Sequence, residues 1–133
     1  MNDWKNNLNK VLPELENYIS QIMSSPKELL GDTNPPKEPG TYIIYDHNDE
    51  LSYIGEAKGS GGLKDRLLSK HLSGDDKHAI QRAYKTSHPD RVLRRTYIKE
   101  NVSVRWVATP DANTALAVER LLILMFNPAW NRK

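Results

Sequence analysis

Three groups of residues in this 133-residue sequence carry types and spacings that could do chemistry. The first is Glu119, in the apolar stretch from Ala115 to Phe126, where its neighbours three and four residues away on a helix are Ala115, Leu116, Leu122 and Ile123. Asn113, Ala117 and Arg120 mark the wetter face, about 100° or more from it. A carboxylate in that setting pairs with an arginine, reaches solvent at the helix edge, or holds a metal ion. The second group is Arg66 with Lys70 one turn on, two cations on one helical side. They form either a solvated face or a phosphate contact, for which the planar guanidinium offers paired donors. His71 lies about 140° around the helix from Arg66 and is expected to serve elsewhere. The third is the pair Tyr42 and Tyr53 on either side of a turn. A four-residue loop, Asp46 to Asp49, puts both phenols on one face, and a five-residue loop, Asp46 to Glu50, separates them.

The elements that would position these residues follow from periodicity and turn chemistry. Thr41 to Asp46 and Leu51 to Gly55 are rich in β-formers and predict a hairpin. Lys58 to Gly62 reads as a flexible connector without the G-x-x-x-x-G-K-[ST] pattern of a nucleotide-binding loop. Helices are expected over 63–72 and 76–86, and a third strand over 102–108. Thr109 then caps, and Pro110 opens, a helix that runs to about Phe126 and stops at Asn127-Pro128. Upstream, Trp4, Leu8, Val11, Leu12, Leu15, Tyr18, Ile19, Ile22 and Met23 recur at helical spacing, so residues 3–24 predict an amphipathic helix, kinked or split at Pro13. The segment from Leu30 to Gly40 holds three prolines and two glycines. It divides an N-terminal helical arm and Pro-rich linker, 1–38, from a domain over 39–133. This order favours a small α+β fold over a doubly wound parallel sheet, which needs repeated crossovers.

Composition narrows the function classes. The absence of cysteine excludes disulfide frameworks, thiolate zinc sites and thiol catalysis. The four histidines, His47, His71, His78 and His88, are too scattered for a metal cluster. No apolar run resembles a secretory signal or a membrane span, so a soluble, cytoplasmic protein is expected. Net charge is only +2, but from Lys58 to Arg105 twelve basic residues face five acidic ones, an excess suited to a polyanion such as nucleic acid.

Taken together, residues 39–132 resemble the GIY-YIG nuclease superfamily. Gly40-Thr41-Tyr42 stands for the GIY element, Tyr53-Ile54-Gly55 matches YIG literally, and Arg66, Glu119 and Asn131 follow in the family's order. The resemblance implies a three-stranded antiparallel sheet flanked by helices, and hydrolysis of DNA phosphodiesters with one Mg²⁺ or Mn²⁺. Glu119 would hold the metal and Arg66 would neutralise the phosphoryl oxygens. Tyr42 would act as general base, its phenol lowered by nearby cations. Tyr53 would hydrogen-bond the phosphate or the water, and Asn131 would fix local geometry. Many members carry Tyr or His one turn after the arginine; here that position is Lys70, which would assist, with His71 the second choice. The same resemblance admits an inactive nucleic-acid-binding module. It also admits a homodimer or a recruiting protein partner engaged through the arm, which is expected to pack on the domain or across a dimer.

Overall fold

The structure, a computed structural model, describes residues 3–72 and 78–132. Strand β2 (Gly40–Tyr45) is buried along its whole length, as its apolar and aromatic residues on both faces require of a central strand. It pairs antiparallel with β3 (Leu51–Ala57) on one side and β4 (Ser103–Ala108) on the other. A two-residue strand, β1 (Glu28–Leu29), adds to the free side of β4, giving the order β1-β4-β2-β3. The fold class is α+β as expected, with four strands rather than three; β1 is too short to show a period.

Helices cover both faces. On one, Tyr42, Ile44, Ile80 and Ile98 form a core with Leu63 and Leu67. It lies under α2 (Gly62–Lys64), a π-helical stretch (Asp65–Leu72), α3 (Ala79–Tyr84) and α4 (Arg91–Asn101). The 76–86 helix is seen from Ala79, and Asp76 lies outside the described residues. The sequence pattern did not foresee α4, which buries only Arg94 and Ile98 and starts where the Asp90 carboxylate accepts from the Leu93 N–H at 2.9 Å. The glycine-rich connector ends in a pinned turn: Gly62 has φ +54°, where a Cβ would strike the Glu38 backbone, and Leu63 N–H donates to the Glu38 carbonyl at 2.8 Å.

On the other face, Ile43, Ile54 and Val107 pack against α5 (Ala112–Phe126) and α1 (Trp4–Ser24), which supply Val118, Leu122 and Ile22. Helix α1 runs unbroken through Pro13. Its C-terminal half joins this core, while Trp4, Leu8, Val11 and Leu12 stay exposed. The α5 cap is Asp111, not Thr109: the Asp111 carboxylate accepts from Thr114 N–H at 2.7 Å, and the Thr109 hydroxyl donates to the Asp111 carbonyl at 2.8 Å. A charged acceptor two residues downstream suits the positive helix end better than a hydroxyl does. Among the described residues, no helix is long and apolar enough to cross a membrane.

Candidate active site

The hairpin solves its register in a way that simple loop counting misses. Tyr45 pairs with Leu51, leaving five residues in the loop, which without irregularity would put Tyr42 and Tyr53 on opposite faces. Between Ile44 and Tyr45 the register shifts: Ile44 pairs with Tyr53, so Ser52 is an extra residue, a β-bulge that reverses the parity. Tyr42 then faces Gly55, and the two phenol rings lie 6.3 Å apart on one face. Gly55 is required here, because a Cβ at that position would collide with the Tyr42 hydroxyl.

The next element also departs from the ordinary helix. From Asp65 to Leu72 the backbone is π-helical, so residues five apart, not four, stack one above the other. This winding overturns the expected geometry after Arg66. Lys70 is exposed, whereas His71 turns inward and is 1% exposed. Its Nε2 lies 2.5 Å from the Tyr42 hydroxyl, to which Arg66 Nε donates at 3.3 Å. The His71 ring also meets Tyr53 edge-on at 5.5 Å.

The Tyr42 hydroxyl sits between two nitrogen neighbours. Arg66 donates to the phenol oxygen, the Tyr42 hydroxyl and His71 Nε2 share one hydrogen bond, and His71 Nδ1 is buried without a partner. The ring is neutral: burial, then the charges of Arg66, His78 and Arg82, lower its pKa to about 3. Tyr42 goes the other way. Burial, then Tyr53, raises its phenol well above the usual range, and Arg66 only partly offsets this. The expectation that cations lower Tyr42 is therefore corrected, since complete burial of the phenol outweighs one half-buried guanidinium.

Glu119 projects from α5 with its side chain 13% exposed. Arg120 approaches at 3.6 Å but is itself 72% exposed, so the pair is solvent-screened and weak. Burial, then the charge of Glu56, raises the Glu119 carboxyl, against Arg120 and Arg66. Glu56 did not emerge from the sequence reading. It follows Gly55 on β3, the strand against which α5 packs, and its Oε2 is buried without a hydrogen-bond partner. An acidic residue directly after the YIG string was the available signal. Two neighbouring carboxylates, one with an orphaned oxygen, fit a divalent cation. Among the described residues no group of three or more His, Cys, Asp or Glu could enclose one.

Asn131 lies on the short 3₁₀ turn after α5 (Ala129–Asn131) and holds β3 from outside. Its amide accepts from Ile54 N–H and donates to the Ile54 carbonyl, both at 2.8 Å, replacing the strand partner that an edge strand lacks. The structure thus brings Tyr42, Tyr53, Arg66 and His71 together, with Arg66 and Glu119 in electrostatic reach, keeps Lys70 out, and places Asn131 as a clamp behind Tyr53.

The sequence profile described as the GIY-YIG catalytic domain matches residues 38–133. The chain belongs to the GIY-YIG catalytic domain family. Relatives carrying a GIY-YIG-like segment include UvrABC system protein C of Chlamydia pneumoniae, 30% identical over 97 residues, covering 72% of this chain and 13% of that protein. The same protein of Aliarcobacter butzleri is 32% identical over 98 residues, covering 72% and 14%. This GIY-YIG chain therefore spans about one seventh of the length of the relatives it matches. Among solved structures, it is similar to the GIY-YIG N-terminal endonuclease domain of UvrC from Thermotoga maritima, a point mutant bound to the catalytic divalent cation. The TM-score is 0.47 and the identity 20%, over 74% of this chain and 87% of that one.

Proposed function

We propose that this chain is a Mg²⁺- or Mn²⁺-dependent endonuclease that hydrolyses DNA phosphodiester bonds. The observation that carries this reading is the hydrogen-bonded series Arg66, Tyr42, His71 beside a pair of under-compensated carboxylates, Glu119 and Glu56. Glu119, with Glu56 beside it, would hold the cation, which when bound polarises the phosphate and stabilises charge on the leaving oxygen. Arg66 neutralises the phosphoryl oxygens. Tyr42 is too weak an acid to wait as a phenolate, and His71, held neutral by burial, takes up no proton. The imidazole and Arg66 therefore fix the phenol as a hydrogen-bonding group that orients the attacking water. As water attacks phosphorus its proton leaves to solvent, the P–O bond to the leaving strand breaks, and the leaving oxygen takes a proton from solvent. Tyr53 hydrogen-bonds the phosphate, and Asn131 keeps β3 in place.

Residues 39–133 form the nuclease domain in this reading, and residues 1–38 an arm whose exposed apolar stripe meets a second copy or a recruiting protein. The likeness to UvrABC system proteins favours a use in DNA repair, which in this reading takes place in the cytoplasm, with restriction the competing use. Supercoiled plasmid with Mg²⁺ tests the activity. Glu119→Ala, Arg66→Ala and Tyr42→Phe are each expected to lower the rate by a factor of about 100 or more. Cutting at the unmodified rate by folded Glu119→Ala protein would sink the proposal. A salt-sensitive mobility shift without metal-dependent cleavage would replace it with a nucleic-acid-binding module.

A further inference from the structure

On the Tyr42 face of the sheet, a cleft of about 400 Å³ opens between the hairpin loop, α3 and the C-terminal turn. Its walls include His47, Arg82, Tyr84, Trp130 and Arg132. None of the hydrolytic residues lines the cleft, but neighbours of its lining residues connect it to them at two places. The His71 ring lies 5.8 Å from that of His78, which directly precedes Ala79 in the cleft wall, and the charge of Arg82 is felt at His71. Trp130 directly precedes Asn131, whose amide clamps Ile54 next to Tyr53. From Tyr42 to Asp46 at the cleft mouth is four strand residues, roughly 13 Å, a span that an extended DNA strand covers in a few nucleotides.

The side chains are held rather than loose. Trp130 meets Tyr84 at 5.8 Å in a T-shaped contact, the Tyr84 hydroxyl lies 3.1 Å from His47 Nδ1, and Arg132 donates one guanidinium N–H to the Asn127 carbonyl at 2.8 Å. The acidic group in the wall, Asp46, is engaged in the turn, accepting from Asn48 and Glu50 N–H at 2.9 and 3.0 Å. The wall therefore presents a partly exposed indole, the exposed Arg132 and Arg82 side chains and an imidazole, with the Asp46 carboxylate held at the turn. Aromatic rings stack on bases whatever their sequence, and arginines take phosphate. A cleft of this volume matches the size of one nucleotide.

We propose that the cleft takes one unstacked nucleotide of the substrate strand, its base against Trp130 and its phosphate against Arg82 and Arg132, so that the enzyme selects DNA that is unpaired near the cut. The chemical class is a nucleoside monophosphate unit, and the proposal rests on the DNA-cleaving reading above. The test uses the Glu119→Ala protein, which binds without turnover. It is titrated with short duplexes that are fully paired or carry a small unpaired stretch, in which 2-aminopurine is placed at each position in turn.

The unpaired duplex is expected to bind about tenfold more tightly, with the fluorescence of one position quenched on binding. Adding Trp130→Ala or Arg132→Glu is expected to remove both the preference and the quench, while binding to paired DNA changes far less. Trp130 packs on Tyr84, so its loss can disturb folding; exposed Arg132 supplies the variant that leaves the fold intact. A folded Arg132→Glu protein with unchanged preference and quench overturns the proposal, as does the absence of any preference in the parent protein. If the parent binds no DNA at all, the nuclease reading fails on its own. Calorimetry with free deoxyadenosine monophosphate then decides the cleft: binding that Arg132→Glu abolishes assigns it to a free nucleotide, and no binding overturns it.

Discussion

His71 illustrates how one buried imidazole ties stability to pH. Its folded pKa, about 3, lies below the ordinary value of 6.5, so the unfolded chain binds a proton that the folded one refuses. Stability from this group is fully present above pH 6.5 and is lost as pH falls from there toward 3. Between pH 7 and pH 5 the loss should be about 2 kcal/mol in urea unfolding, and a folded His71→Gln variant should show a correspondingly shallower slope. Glu56 makes a different prediction. If its orphaned oxygen faces the cation, Glu56→Gln should weaken Mn²⁺ affinity by about tenfold in calorimetry, with little change in melting temperature without metal, since no hydrogen bond is lost at Oε2. An unchanged affinity would remove Glu56 from the metal site.

Among the elements, the hairpin depends on a contact between a missing side chain and a large one. Gly55→Ala should push the Tyr42 ring off its position, costing about 1–3 kcal/mol in unfolding and most of the cleavage rate. Retained activity would show that the hydroxyl does not need its present place. The hairpin, β4 and α5 were legible because alternation and an apolar helical stripe are local signals. The bulge at Ser52 and the π-winding after Arg66 were not, because each inserts one residue of phase that only tertiary contacts select. That single residue moved His71 into the site and Lys70 out of it. Deleting Ser69 should return the segment toward α-helical spacing, with the imidazole one ordinary turn from Arg66. Helix α4 escaped notice for another reason: Val92 and Leu93 are exposed, and its inward residues include a buried arginine, so no apolar period marks it. In the candidate site, Arg66, Glu119 and both tyrosines were readable as residues, while the hydrogen bonds joining Tyr42 to His71 were not.

At the scale of the whole molecule, the N-terminal helix is part of the folded body rather than a detachable appendage. Ile22 is fully buried beneath α5 and the sheet, so Ile22→Ala should cost about 2–5 kcal/mol, measured by denaturant unfolding. A cost near zero would show that the helix docks only loosely. The two borders of the sheet are each shortened, one by ending in a strand of only two residues and the other by the Asn131 amide standing in for a neighbouring backbone at Ile54. Both devices reduce the run of open hydrogen-bonding groups that another strand could pair with. An Asn131→Ala protein, with Ile54 uncovered, is expected to become prone to sticking to itself as it is concentrated, a change that light scattering would register before any loss of secondary structure.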